Sequence, residues 1–184
     1  MVQSLLLFVH VASAMGIVAA LGIEGLVLLQ LGRARLVEEV RSAMGSFRYV
    51  QRVGAASLIA TVLSGIYLAT VYWRWEGPWI GTAFILLIAN AVVGAVMSGR
   101  NQAAIGRATA AQGSGRSPDV ERSKATLRAS FVIRAALILG IVFLMTVKPG
   151  SDLSLLVAAV AVLLGLTLGL WALRGRGERL EQAK

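Results

Sequence analysis

The sequence predicts an all-α fold: an integral membrane bundle of five transmembrane helices, in a single domain that covers residues 1–184. Hydrophobic residues make up 57% of the chain and charged residues only 15%, whereas soluble domains have about 45–50% apolar and about 25% charged residues. The apolar residues fall in five segments, each long enough to cross a hydrocarbon core of about 30 Å. Backbone groups inside lipid must bond within their own segment, so each segment is expected to be a helix.

The five spans are placed at about 4–31, 53–72, 79–98, 129–147 and 153–173. Basic residues indicate the orientation, because cytoplasmic loops of membrane proteins are rich in Lys and Arg. Of the 18 Lys and Arg residues, only Arg74 and Lys148 lie in the second or fourth loop. The N-terminus is therefore expected outside and the C-terminus in the cytoplasm. Topology and contact with membrane lipids then account for the net charge of +9, and no nucleic-acid partner is expected.

Two connecting segments are assigned separately from the spans. Apolar residues in segment 34–50 recur at three- and four-residue steps, which predicts an amphipathic helix at the inner membrane interface. These residues are Leu36, Val40, Met44 and Phe47. Segment 112–122 contains the sequence GSGRSP and is expected to form a flexible cytoplasmic loop.

The composition excludes several kinds of chemistry. The chain has no Cys, so it has no disulfide, thiolate metal site or thiol nucleophile, and its one His excludes a two-His metal site within a single chain. No nucleophile–base pair and no paired carboxylates occur in the sequence. Nothing therefore predicts an enzyme.

Small or polar residues recur every fourth position on four spans, which allows helix backbones to approach closely. The predicted packing residues are Gly16 and Ala20; Ser57, Thr61 and Gly65; Asn90 and Gly94; and Gly165 and Gly169. Packing within one bundle is the favoured interpretation, and packing against a partner protein is the alternative. Asn90 is expected to donate a hydrogen bond between helices, where the polar face of the second span could meet it.

Three ionisable side chains lie within the spans, where such groups are costly and are therefore candidate functional residues. Glu24 and Arg134 are both expected nearer the cytoplasmic end of their helices. An ion pair between the two is one interpretation, and a protonatable Glu24 in a proton or ion path is the other. His10 shares a helix face with Glu24 but stands about 21 Å from it along the axis.

His10 also has two interpretations. It is either a hydrogen-bonded core residue, paired with a hydroxyl of the second span, or an axial ligand to haem or copper near the outer face. Met145, near the outer end of the fourth span, is the candidate second ligand because its thioether is a soft donor at a similar depth.

Three stretches resemble a known bacterial family. They are FVHVASAMGIVAALGIEGLVL in the first span, SGIYLATVYWRW at the end of the second and ALILGIVFLMTVKPG at the end of the fourth. Over roughly residues 5–150 the chain is similar to the DUF2269-type family of small integral membrane proteins, itself distantly similar to copper-resistance D-type membrane proteins. The clearest marks are His10 and the ending formed by Leu144, Met145, Lys148 and Pro149. The resemblance implies a membrane fold and His10 as a candidate residue, without implying a reaction.

These observations favour a non-catalytic protein of the bacterial cytoplasmic (inner) membrane. It would be an accessory or scaffold subunit that packs against another membrane protein or its own copies, because packing surfaces are abundant and chemical groups are sparse. The first alternative is a protein that binds haem or copper through His10. The second is a small transporter or ion-path protein that uses Glu24.

Overall fold

A computed structural model describes residues 1–34, 36–112 and 118–174, apart from the side chains at 109, 111, 112 and 118. Throughout these ranges the chain is helical and has no strand. The elements are α1 (Val2–Arg33), α2 (Val37–Val71), α3 (Pro78–Val93), a π-helical segment (Gly94–Gly99), α4 (Arg100–Gln112), α5 (Pro118–Val147) and α6 (Ser151–Arg174). Because α3 runs through the π-helical segment into α4, the described chain forms five helices long and apolar enough to cross a membrane. The predicted all-α, five-span class is confirmed.

Three of these helices extend far beyond the predicted spans at one end of the bundle. Each predicted span lies within one helix to within a residue, but α2 already begins at Val37, α5 begins at Pro118, and α4 prolongs the third span to Gln112. Hydropathy marks only the part of a helix that lipid surrounds, because a helix outside lipid is free to be polar. We call this the basic end, since most Lys and Arg residues lie there.

The amphipathic segment 34–50 is not a separate helix. From Val37 onward it forms the first part of α2, which contains no Pro that would break the helix. Val40 and Phe47 are completely buried in an apolar cluster with Ile105 of α4. The expected helix boundary near residue 53 is thus corrected: the apolar face of the segment is covered by neighbouring helices, and the helix continues into the span.

The predicted loop at 112–122 is also reassigned in part. Gln112 is the last residue of α4, and Pro118 is the first residue of α5. Proline suits the first turn of a helix, because the N–H that it lacks would have no partner within the helix there. Residues 113–117 of the predicted loop lie outside the described residues.

Consecutive spans run antiparallel, and several helix pairs approach each other at glycines. A Cβ placed on Gly16 of α1 would lie 3.2 Å from the Cβ of Ser57 on α2, and one on Gly140 of α5 would lie 2.8 Å from the Cβ of Ala161 on α6. Helix α5 has the most neighbours, since it packs against α1, α3, α4 and α6. In the described chain α2 and α3 share almost no close contact although they are consecutive. The centre of the bundle is therefore built around α5.

Candidate functional site

The most prominent polar contact inside the spans joins Glu24 of α1 to Arg134 of α5. The Nη1 of Arg134 donates to both carboxylate oxygens of Glu24, at 2.9 Å to Oε1 and 2.8 Å to Oε2. The side chain of Glu24 is only 3% exposed and that of Arg134 only 16% exposed. The structure thus brings together the two charged residues that the sequence placed at a similar depth, and their charges cancel.

Besides α1 and α5, the π-helical segment that follows α3 also contributes to this site. A Cβ on Gly94 would lie 3.3 Å from Nε of Arg134, so a larger residue would crowd the guanidinium group. Asn90 lies one turn before Gly94 on the same side of the helix, and its side chain is buried. We call Glu24, Arg134 and Asn90 the buried polar cluster: the first two form the ion pair, and Asn90 is placed on their side of α3 by its spacing from Gly94.

The buried polar cluster keeps unused hydrogen-bonding capacity. Nε of Arg134 and Oδ1 of Asn90 are both buried without a hydrogen-bond partner among the described residues. Unpaired buried polar atoms are rare in native proteins. One of these atoms is a donor and the other an acceptor, so the site around Arg134 could donate one further hydrogen bond. The π-helical segment beside it is a local irregularity of a kind often found at functional sites.

The expected meeting between Asn90 and the polar face of α2 is wrong. That face is directed toward α1 instead: Thr61 donates to Oγ of Ser13 at 2.9 Å, and Ser64 lies beside His10. Helical periodicity shows that α2 has a polar side but not which neighbour covers it, because hydropathy carries no information about helix order in the bundle.

The second polar site surrounds His10. Its Nδ1 lies 3.0 Å from the backbone oxygen of Thr61 and 3.1 Å from Oγ of Ser64. Gly65 allows this approach, because a Cβ there would lie only 2.9 Å from Cε1 of the imidazole ring. His10 therefore joins α1 to α2 through a carbonyl and a hydroxyl group, as a hydrogen-bonded core histidine would.

The hydrogen-bonding pattern assigns the roles of the two ring nitrogens. A carbonyl oxygen accepts but never donates, so Nδ1 carries the proton toward Thr61. In a neutral ring Nε2 then has the free lone pair. A histidine that binds a metal usually donates its other ring N–H to a carbonyl or carboxylate in this way. The ring of His10 is thus oriented with Nε2 available as an acceptor or a ligand.

Met145 packs in a different environment from that of His10. It lies against an apolar cluster that includes Ala69, Trp79 and Leu144, whereas the inter-helical partners of His10 are on α2. Within the described residues, no three His, Asp or Glu side chains are grouped closely enough to hold a metal ion. The contacts of His10 therefore suit ligation, and Met145 stays the predicted second ligand.

The predicted packing residues serve contacts within the chain. Gly16 lies against Ser57, Ala20 against Gly54 and Gly65 against His10. On α6, both Gly165 and Gly169 lie against Ile133. The four small-residue stripes thus hold this bundle together, which is the favoured interpretation of their spacing.

Three serines of the polar network were not singled out from the sequence. Ser13 accepts the hydrogen bond of Thr61. Ser98 and Ser130 are completely buried and form a hydrogen bond with each other at 3.1 Å. Ser130 lies one helical turn before Arg134, so a shared helix face was a signal that could have found it.

Comparison of the chain with protein-family models, curated proteins and solved structures finds no match. The family resemblance stays a prediction.

Proposed function

We propose that this chain is a non-catalytic accessory subunit that packs against another membrane protein, or a second copy of itself, through the outward side of α1. Glu24, Arg134 and His10 support a structural role, because each joins helices of this bundle. A bundle whose helices are joined by such contacts is suited to act as a preformed packing unit.

The observation that carries the proposal is a patch of small residues on α1 that faces away from the bundle. Ala12, Ala19 and Gly22 are exposed and lie toward one side of the helix by their spacing, with the flexible, exposed side chain of Met15 between them. A Cβ added at Gly22 would meet no atom of the described chain within 4 Å. Small residues on an outward surface let a second helix approach closely, which is how helices associate in lipid. This patch differs from the four inward stripes, whose space is already filled.

The test is the size of the particle after gentle solubilisation from its native membrane, measured by native mass spectrometry. The wild-type chain is expected in an assembly larger than one copy. Gly22→Leu is expected to reduce that assembly to monomers, because the added side chain points into the space that the partner helix would occupy. Gly81→Leu is the matched control: a Cβ there also meets open space, but on α3.

Two results would contradict the proposal. The wild-type chain found only as isolated monomers would remove the accessory role altogether. Assemblies lost equally with Gly22→Leu and Gly81→Leu would show that the α1 patch has no special part in association. Because the chain has no Cys, Gly22→Cys adds a unique thiol, and its crosslinking to a second copy identifies a homo-oligomer.

The arrangement of His10 supports one second candidate, a protein that binds haem or copper. The supporting observation is the hydrogen bond from Nδ1 to the Thr61 carbonyl, which leaves Nε2 as the ligating nitrogen. Bound there, haem or copper would supply one-electron redox chemistry. His10 would hold it, and a second ligand would come from Met145, from a partner or from solvent.

This second candidate is tested on protein purified from its native membrane. A Soret band, or stoichiometric copper by metal analysis, is expected from the wild-type chain and is expected to disappear in His10→Ala. Ser64→Ala is the control, because it removes a neighbour of the ring but retains the Thr61 carbonyl. A colourless, copper-free preparation would contradict the proposal.

A further inference from the structure

A groove between α2 and α4 at the basic end has the shape and charge of an anion site. It has a volume of about 480 Å³ and is lined by Arg41 and Arg48 on one side and by Gly99 and Gly106 on the other. A Cβ on either glycine would meet no atom of the described chain within 4 Å, so the α4 wall has room for a ligand at these two positions. The groove therefore has a cationic side and a side formed by glycines, alanines and Gln102.

The two arginines are placed to act together. Arg41 and Arg48 are seven residues apart on α2, which is about two helical turns, so they project on the same side about 10 Å apart along the axis. Arg41 has one ionic neighbour, Glu38 at 4.0 Å, and both of those side chains are more than 70% exposed. A contact so long and so exposed to water holds an arginine only weakly. No ion pair involves Arg48 within the described ranges.

The floor of the groove is apolar and fixed. Val40 is completely buried and Met44 is 9% exposed. Beside them, Nε2 of Gln102 on α4 donates to Oε1 of Gln51 on α2 at 2.6 Å, which ties the two helices together. The groove is thus held open by packing, and its arginines do not have to move far to reach a ligand.

The position of the groove along the helices decides the source of the anion. Gly99 directly follows the predicted third span, and Arg48 lies five residues, about 7 Å, before the second. This is the depth of the lipid headgroups, which extend about 5–8 Å beyond the hydrocarbon core on each side. Arg41 lies twelve residues, about 18 Å, before the second span, at the aqueous mouth of the groove.

We propose that this groove binds a phosphate group, with Arg48 as the donor at headgroup depth, Arg41 as a second cation at the aqueous mouth of the groove, and the headgroup of an anionic phospholipid as the favoured source. Arginine suits phosphate because its planar guanidinium group donates two parallel hydrogen bonds. Basic pockets between helices at the membrane surface bind anionic headgroups by the same means. The room beside the two glycines admits the glycerol side of the lipid, and the apolar floor contacts its first methylene groups.

The test is lipid retention by the full-length protein in mixed micelles, measured by native mass spectrometry. Phosphatidylglycerol is expected to be retained roughly tenfold over phosphatidylcholine. The double variant Arg41→Gln/Arg48→Gln is expected to bring this ratio close to one. Gly106→Leu is expected to do the same at unchanged charge, because its side chain fills the groove. Arg33→Gln/Arg122→Gln, which removes the same charge from exposed positions of the same end, is expected to keep the preference.

A second arm uses inorganic pyrophosphate, whose binding is followed by the thermal unfolding midpoint of the same variants. A stabilisation that only Arg41→Gln/Arg48→Gln and Gly106→Leu abolish, without a lipid preference, would keep the phosphate site and assign it a soluble ligand. Equal retention of both lipids together with no effect of pyrophosphate would overturn the proposal. So would an equal loss of preference in the two double-arginine variants, because surface charge alone would then explain it.

Discussion

At the scale of single residues, the Glu24–Arg134 pair decides how α1 is held to α5. Transfer of two charges from water into a low-dielectric environment costs several kcal/mol per ion, and their attraction offsets that cost only with good geometry. Here one Nη1 contacts both carboxylate oxygens, while Nε of Arg134 has no partner in the described chain. The pair therefore fixes the register of α1 against α5, and this effect is clearer than its net contribution to stability.

Removal of one partner is expected to lower the free energy of unfolding far more than removal of both. Glu24→Leu leaves Arg134 as a buried cation without its counter-ion, and we expect a loss of about 3–5 kcal/mol in the free energy of unfolding. The double variant Glu24→Leu/Arg134→Leu is expected to recover most of that loss, because no unpaired charge remains. The measurement is unfolding in detergent followed by tryptophan fluorescence. A double variant no more stable than Glu24→Leu would show that the two side chains do not act as a pair.

The sequence contained enough information to bring these two residues together. Each is a lone charge within its span, and counting 1.5 Å per residue from the helix ends gave them a similar depth. The same reasoning failed for Asn90, whose depth was right but whose neighbour was not. Depth along a helix follows from chain position, whereas the order of helices around the bundle depends on side-chain packing that no single span encodes.

At the scale of helices, close packing depends on glycines that lie opposite fixed atoms. Gly140 was not among the predicted packing residues, yet a Cβ there would lie 2.8 Å from the Cβ of Ala161, closer than two such carbons approach in folded proteins. A Cβ cannot rotate away from its own backbone, so α5 and α6 would have to separate. Hydropathy treats Gly140 as an ordinary apolar position, and only the facing helix shows why a larger residue does not fit.

Two glycine-to-alanine changes are expected to have opposite effects. Gly45→Ala on α2 meets open space and gains helix propensity, so we expect up to about 1 kcal/mol of added stability. Gly140→Ala gains the same propensity but overpacks the contact between α5 and α6, at a cost of about 1–3 kcal/mol. Thermal unfolding midpoints in one detergent provide the comparison. A rise in midpoint for both variants would mean that α5 and α6 have room to move apart.

Helix length shows a further limit of sequence reasoning. Segment 34–50 was predicted as an interfacial helix from the helical spacing of its apolar residues, and the second span was predicted to begin near residue 53, where the chain becomes more apolar. The helix continues through this position without a break, and Val40 and Phe47 are covered by neighbouring helices. A change in polarity along a helix marks where the surroundings change, and only a break such as Pro marks where the helix ends.

At the scale of the whole molecule, charge divides the bundle into two ends. Among the described residues, Arg74 and Lys148 are the only basic ones at the end opposite the basic end, and both adopt positive φ angles in tight turns. Lys148 is further engaged there, with its Nζ 4.4 Å from the centre of the Trp73 ring. The positive-inside rule predicts that the basic end faces the cytoplasm.

Because the chain has no Cys, single-cysteine variants test this orientation directly. Glu76 is exposed in the turn between α2 and α3, Arg41 is exposed near the start of α2, and Arg122 is exposed near the start of α5. In intact cells an impermeant maleimide is expected to label Glu76→Cys, but to label Arg41→Cys and Arg122→Cys only after permeabilisation. The reverse pattern would invert the orientation and place the groove of Arg41 and Arg48 on the outer surface. Labelling of Arg41→Cys and Arg122→Cys from opposite sides would contradict the five-span topology itself, because two complete spans separate these positions.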